Sequence, residues 1–510
     1  MASTSSRRLW VLPLVAGGMA AAFAGGRWVE RREAERRNEW ADARLLSSAV
    51  DSVRVHALDS LPSDELIRRA VAGMLRELHD PYAALLSPDG YDRYRGSLQG
   101  EGKGLGLQLR RAADGATVAS VVPGSPSADA GVRPGDRILL VDGVPTDDRW
   151  GRPADSSAAP PTQHQLTVWR ATGADTLQLV VTRRAWHAPA VAEQGLLTDS
   201  VGYVRLSTMS AQSADELETA VEALVDRGAR SLVLDLRGNT GGLFEEGVKA
   251  AGLFLPRGVV VASLAGRGGE APQPFRGRRS RWPLLPLTVL VDGNTASAAE
   301  VVASALHQYD RALLVGTPTY GKGLVQRVVR LSPELSLRLT TARWLTPRGE
   351  ALERRQGRGE SARGGLLPDV TLDDFGRRDV ALTPSGWPLE ATRAMRRIAD
   401  SVAVHAVRDG WTTQPLSLLE ARLQSALAPV APRSMREAAA RAEWVTETMR
   451  IATVQVLEME QQGEALLRYR ARHDAALRAG LDVLAPGTDV ASGVPTALPA
   501  LTGRRTPTMP

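Results

Sequence analysis

The sequence predicts a multidomain α+β chain: an α/β core interrupted by a small β-rich module and flanked by helical regions. Three observations predict it. Residues 187–385 alternate strand-like apolar runs (VGYVRLS, SLVLDLRG, LTVLVDG, ALLVGT) with helical stretches, as in an α/β layer domain. Residues 98–186 read as short alternating strands broken by Gly and Pro. Residues 28–97 and 386–484 space their apolar residues at helical intervals. At 510 residues the chain is also too long for one compact core.

Taken in order, residues 9–24 (LWVLPLVAGGMAAAFA) are an apolar run behind Arg7 and Arg8. They read as a secretory signal peptide ending at Ala22-Phe23-Ala24, or as an uncleaved membrane anchor extending through Gly26. Both readings of residues 1–26 export the remainder, to the periplasm or the outer face of the cytoplasmic membrane. In the N-terminal helical region, DELIRRAVAGMLREL follows Ser63 and sets Leu66, Ala70, Met74 and Leu78 on one face. Asp80-Pro81 ends that helix. The β-rich module is carried by GKGLGLQLRR, GATVASVVPGSPSADAGVRPGDRILLVDG and HQLTVWRATGADTLQLVVTRR. In the C-terminal helical region Ser434 and Glu437 form a capping box. Behind it Val445, Met449, Ala452, Val456 and Met459 make an apolar seam that suits a partner helix, from the chain's own body or from a second copy in a homodimer. Residues 485–510, rich in Pro, Gly, Thr and Ala, are expected to be disordered.

Composition excludes several chemistries. The chain has no cysteine, so no disulfide, thiolate nucleophile or cysteine-bound metal exists. The net charge of +6 forms no basic stripe interleaved with aromatics, and no nucleic-acid partner is expected. HExxH, GxSxG, SxxK and Walker patterns are absent. KGLGL leads into a strand, so it is not a phosphate loop. His307 follows Ser297 by ten residues on one predicted helix. That places it about 15 Å up the axis, out of reach.

Serine with lysine remains. VLVDGNTASAAEVVASAL reads as a strand over Leu287–Asp292, a turn, and a helix starting near Ser297. Unpaired N–H groups and the positive dipole end stabilise an oxyanion there, although an ordinary N-cap serine has the same surroundings. All but three of the 63 basic residues are arginine; the lysines are Lys103, Lys249 and Lys322. Arginine does not give up its proton, whereas a desolvated lysine does. A base working near neutrality needs its pKa lowered from about 10.4 to roughly 7–8, about 4 kcal/mol of bias that burial can supply. A chain that uses arginine wherever a cation suffices keeps lysine where deprotonation matters, and Lys322 in TYGKGLVQ is the candidate. Lys249 reads as a helix-surface residue. Gln326 lies in a strand-like run, on one face with residues 322 and 324, where its amide oxygen can hold the amine.

On these residues the chain resembles the C-terminal processing peptidases, tail-specific serine–lysine proteases, over roughly residues 45–375. DGNTASAAEVVASAL is similar to the family's nucleophile segment, TPTYGKGLVQ to its lysine segment, and LVLDLRGNTGG to the strand and glycine turn of its oxyanion hole. HDPYAALLSP, LRLTTARWLTPRGE and GGLLPDV match further segments. The resemblance implies a crotonase/ClpP-like protease core with an inserted PDZ-like domain. It implies Ser297 as nucleophile, Lys322 as general base, Gln326 as its orienting partner, and the N–H groups of Ala298 and Gly242 as the oxyanion hole, with Gly241 a close alternative. In the PDZ-like domain Gly104, Leu105 and Gly106 would bind a peptide carboxylate through a nest of N–H groups. The partners implied are proteins or peptides with free, apolar C-termini; no metal or cofactor is implied.

The sequence departs from the family in three places. The interval RWGRPADSSAAPP, with three prolines, stands where a groove-lining helix is usual. Thr295 and Ala299 replace the flanking serines of the nucleophile run. An Arg/Gly-rich insertion begins at Glu353. Two other readings are a non-catalytic peptide-binding scaffold on the same fold and a crotonase-like acyl-CoA enzyme. Turnover separates the first, and a thioester assay the second.

Overall fold

The computed structural model describes residues 43–484 except 60, 103, 113–114, 147–161, 172–174, 270, 353–364, 373–388, 433–434, 436–437 and 461. The signal or anchor segment, the proline-rich interval, the insertion through Gly364, the Ser434–Glu437 capping box and the terminal tail lie outside the described residues. The described residues fall into two compact units, one of residues 43–86 with 328–339 and one of residues 87–327 with 340–484.

In the first unit a helix over 43–56 precedes the helix Ser63–Glu77. Asp64 and Glu65 sit in that second helix's first turn, where the dipole favours acids. Its buried residue is Leu75, while Met74 and Leu78 are exposed. Leu66 and Ala70 are half-buried, and the helix runs through the stretch whose spacing predicts it. A strand, Ala84–Leu86, also interrupts the expected helical region and pairs antiparallel with Ser336–Arg338. Pro81 and Pro88 bracket it, leaving too few residues for a helix.

The second unit is built on a six-stranded sheet ordered Val370–Thr371, Leu313–Gly316, Leu287–Val291, Ser231–Asp235, Val201–Leu206, Val191–Leu196. Its pairs are parallel except the last. Both faces are covered, which is why the central strands are apolar throughout rather than alternating. On one face Leu234, Val289 and Leu314 pack with the helices Ser213–Asp226, Phe244–Gly252 and Ala298–Gln308. On the other, Tyr203, Val233, Leu290 and Val315 meet Leu467, Ala476 and Leu477 of the C-terminal helices Gly463–His473 and Ala475–Leu484. The strand Val260–Ala265 pairs antiparallel with Gln273–Arg276 and with Arg343–Leu345.

Residues 107–182 form a separate six-stranded antiparallel sheet around Val118, Ile138, Leu166, Val168 and Val181. Its one short helix among the described residues, Pro126–Asp129, lies in a stretch expected to be strand and turn; Ser125 caps it and Pro126 opens it. The seam Val445, Ala452, Val456 and Met459 is buried within the chain, against Met395, Ala399, Leu419 and Leu423 of neighbouring helices. A Cβ on Gly135 of the β module would lie 2.3 Å from Met459. The chain's own body therefore occupies the face that a second copy would need.

Candidate active site

Ser297 stands where the strand Leu287–Val291 turns into the helix Ala298–Gln308. Its backbone has φ 56° and ψ −120°, the conformation of the first central residue of a type II′ turn, ordinarily glycine's. Such a residue costs about 1–3 kcal/mol and persists only where its surroundings hold it. Three contacts hold this one. The Ala296 N–H donates to Asn239 O at 2.9 Å, the Ser297 N–H to Glu300 Oε2 at 2.8 Å, and the Val301 N–H to Ser297 O at 3.0 Å. The serine is half-buried. A GxSxG signature is missing, yet the same kind of strained elbow is built with glycines from elsewhere. A Cβ on Gly241 would meet Ser297 Cβ at 2.8 Å, and one on Gly247 would meet Ala298 O at 2.6 Å.

Lys322 is half-buried and lies two residues ahead of the strand Leu324–Ser332, rather than inside it as expected. Its backbone is gripped on both sides. The N–H donates to Glu300 Oε2 at 2.8 Å, and the indole N–H of the buried Trp344 donates to Lys322 O at 2.9 Å. Gly323 beside it is required, because a Cβ there would lie 1.9 Å from Leu352 O.

Glu300 joins the two segments. Its side chain is fully buried and accepts four hydrogen bonds: Ser297 N–H and Lys322 N–H on Oε2, Gly321 N–H (2.7 Å) and Thr319 O–H (2.6 Å) on Oε1. The nitrogens of Ser297 and Lys322 both lie 2.8 Å from one oxygen, so they are no farther apart than twice that distance. The two backbones therefore lie side by side, closer together than the length of a lysine side chain, about 6 Å. Burial pushes the Glu300 carboxyl above the ordinary glutamate value, against the opposing pull of its four donors.

The loop Gly238–Gly242 faces the elbow. Asn239 is fully buried; its amide donates to Leu206 O at 2.8 Å and its Oδ1 accepts the Gly241 N–H at 2.9 Å. Gly241 is therefore already engaged. The Gly242 and Ala298 N–H groups have no acceptor among the described residues. Gly242 has φ +150°, and a Cβ there would meet Met209 O at 2.3 Å. Asp292 Oδ1 accepts the N–H groups of Gly238, Asn294 and Thr295. Buried Thr295 donates its hydroxyl to Leu236 O at 2.9 Å and accepts the Asp292 N–H. Its hydroxyl is thus consumed in holding the turn.

The Gln326 amide nitrogen donates to Thr340 Oγ1 at 3.4 Å, and its oxygen accepts no hydrogen bond among the described residues. Gly104 and Gly106 both have positive φ, +63° and +75°. The carbonyls of Leu105 and Gly106 accept the N–H groups of Ser127 (3.0 Å) and Val122 (2.8 Å). The N–H groups of residues 104–106 have no acceptor among the described residues. Lys249 does more than decorate a surface: its ammonium pairs at 2.7 Å with the buried Glu246, whose other oxygen accepts the Ala214 N–H. Among the described residues no group of three or more His, Asp or Glu side chains is gathered as metal ligands.

Sequence reasoning did not assign Glu300, Asn239, Asp292, Thr319 or Trp344. Each also has partners from other segments, and only the Ser297–Glu300, Asn239–Gly241 and Asp292–Thr295 spacings carried a local signal.

Comparison with known proteins gives a consistent result. Residues 200–372 match peptidase family S41, and residues 103–182 match the PDZ domain. The chain is 33% identical over 313 residues to a carboxyl-terminal-processing protease of Synechocystis sp. (strain ATCC 27184 / PCC 6803 / Kazusa), covering 60% of this chain and 70% of that protein. It is 28% identical over 315 residues to the carboxy-terminal processing protease CtpA of Bacillus subtilis (strain 168), covering 61% and 66%. A solved structure of a photosystem II D1 C-terminal processing protease aligns with TM-score 0.38 and 30% identity, over 63% of this chain and 86% of that one. The matched stretch thus spans about two thirds of the length of these curated relatives.

Proposed function

Because the chain belongs to peptidase family S41, alongside the carboxyl-terminal-processing proteases, we propose that it is a serine endopeptidase that cleaves proteins near their C-terminus by a Ser297–Lys322 mechanism. The neutral Lys322 amine, oriented by the Gln326 amide oxygen, takes the proton from Ser297 Oγ as that oxygen attacks the peptide carbonyl. The N–H groups of Ala298 and Gly242 receive the developing oxyanion, which the orphan state of both donors supports. The lysine ammonium then protonates the leaving amine. Water, giving its proton to Lys322, attacks the acyl carbonyl; the ester bond to Ser297 Oγ breaks, and Lys322 passes that proton to Oγ, restoring the hydroxyl and the neutral amine. The turn Gly104–Gly106 binds the free carboxylate of a substrate whose tail is apolar, adding it as a strand to the PDZ-like sheet. Export of residues beyond the N-terminal apolar segment, and a crotonase-like ancestry of the core, belong to the same reading.

One observation carries the proposal: a single buried oxygen, Glu300 Oε2, receives the backbone N–H groups of both proposed catalytic residues. The test is mass-spectrometric mapping of products from an unstructured, apolar-tailed protein. Ser297→Ala and Lys322→Ala should each abolish the products seen with the unaltered chain. Undiminished cleavage by either variant overturns the assignment.

A further inference from the structure

Trp186 lies four residues beyond the stretch that matches the PDZ domain, in the segment returning from the β module to the core. It is 7% exposed. Two glycines lie against its ring. A Cβ on Gly102 would lie 2.0 Å from the indole, and one on Gly106 would lie 2.9 Å from it. The same hypothetical Cβ on Gly106, strained already by its positive φ, would lie 2.1 Å from Ser125. The indole N–H donates to Gly104 O at 3.4 Å, and Trp186 O accepts the Gly102 N–H at 2.8 Å. The carbonyls of all three turn residues are therefore drawn toward the body of the protein, by Trp186, Ser127 and Val122. In a turn alternating through two positive-φ glycines, that leaves the N–H groups as the free side.

We infer that Trp186 is a positioning residue for tail recognition, the floor that aims the Gly104–Gly106 N–H groups at a peptide carboxylate. The inference rests on the proposed role of that turn. Gly102 has an ordinary backbone conformation, so its missing side chain reflects the ring and not a turn requirement.

The test measures binding of two fluorescent peptides with one apolar sequence, one ending in a free carboxylate and one in an amide, to the full chain carrying Ser297→Ala. A short internal peptide too small to use the turn reports kcat in the Ser297 background. Trp186→Ala should weaken the carboxylate peptide about tenfold, the scale of one charge-assisted hydrogen bond. It should leave the amidated peptide and kcat within about twofold, the scatter expected of distant sites. Trp186→Phe should recover most of the affinity. Gly102→Ala, which pushes the ring without removing it, should lose affinity like Trp186→Ala, and it keeps the test open if the larger truncation does not fold. Unchanged preference for the carboxylate in Trp186→Ala and Gly102→Ala overturns the inference, and so does an equal loss of kcat. A parent chain that does not distinguish the two peptides overturns the reading of the turn itself.

Discussion

Ser297 and Lys322 hang by their backbone N–H groups from one oxygen, Glu300 Oε2, each at 2.8 Å. Each segment is anchored again by a second group, Asn239 O beside the serine and the Trp344 indole beside the lysine. The elbow's strained φ and the lysine's position therefore depend on one carboxylate that binds the backbone of both.

Glu300→Gln tests that dependence. An amide has one accepting oxygen and a nitrogen that cannot accept, so at least one of the two pairs of donors is orphaned. Each buried unsatisfied donor costs about 1–3 kcal/mol. The expected outcome is a kcat lowered about a hundredfold with KM nearly unchanged, read by steady-state kinetics on one peptide. A variant with unaltered kcat contradicts the role.

The same residue has a pH signature. Burial raises its pKa in the folded chain, so the folded state holds that proton more tightly than the unfolded one. Its contribution to stability is full below the ordinary glutamate pKa of about 4.3 and is lost as pH rises through the folded value. The stability gap between the unaltered chain and Glu300→Gln, measured by urea unfolding, should shrink from acid to neutral pH.

Asp235 has the opposite sign. Burial pushes its carboxyl up, but Arg237, through its charge and its hydrogen bonds, outweighs that and holds it below the usual range. Arg237 in turn reaches Asp474 at 2.7 Å, whose Oδ1 caps the last helix. This stability is present above the unfolded pKa of about 3.9 and is lost as pH falls through the folded value. Asp235→Asn should be destabilised at neutral pH and show a shallower acid decline than the unaltered chain.

Gly241→Ala puts a Cβ 2.7 Å from Ala296 O and 2.9 Å from Ala298 N, at φ +90°. The elbow must shift to admit it. Cleavage should fall at least about a hundredfold, since small displacements of catalytic groups cost that much, while the melting temperature drops by only a few degrees. Retention of activity would show that the elbow is not held as tightly as the packing indicates.

The core strands and the helix after Ser297 were legible because apolar runs of strand length end at Asp or Gly signals, as in LVLDLRGN and LTVLVDGN. Lys322 was legible through its rarity. Glu300's work was not, because its donors Thr319, Gly321 and Lys322 come 19 to 22 residues later and meet it only in the fold. The seam Val445–Met459 was ambiguous in principle, since a helix partner from the same chain and one from a second copy impose the same spacing. Gly135 opposite Met459 is a tertiary fact without local trace.

The most direct test of the account replaces Lys322 with arginine, which keeps the charge and the length but cannot lose the proton. Initial rates of cleavage of an apolar-tailed test protein at about pH 8 should fall at least about a thousandfold in Lys322→Arg, the scale of a lost general base. A rate within tenfold of the unaltered chain would contradict the claim that a neutral amine activates Ser297.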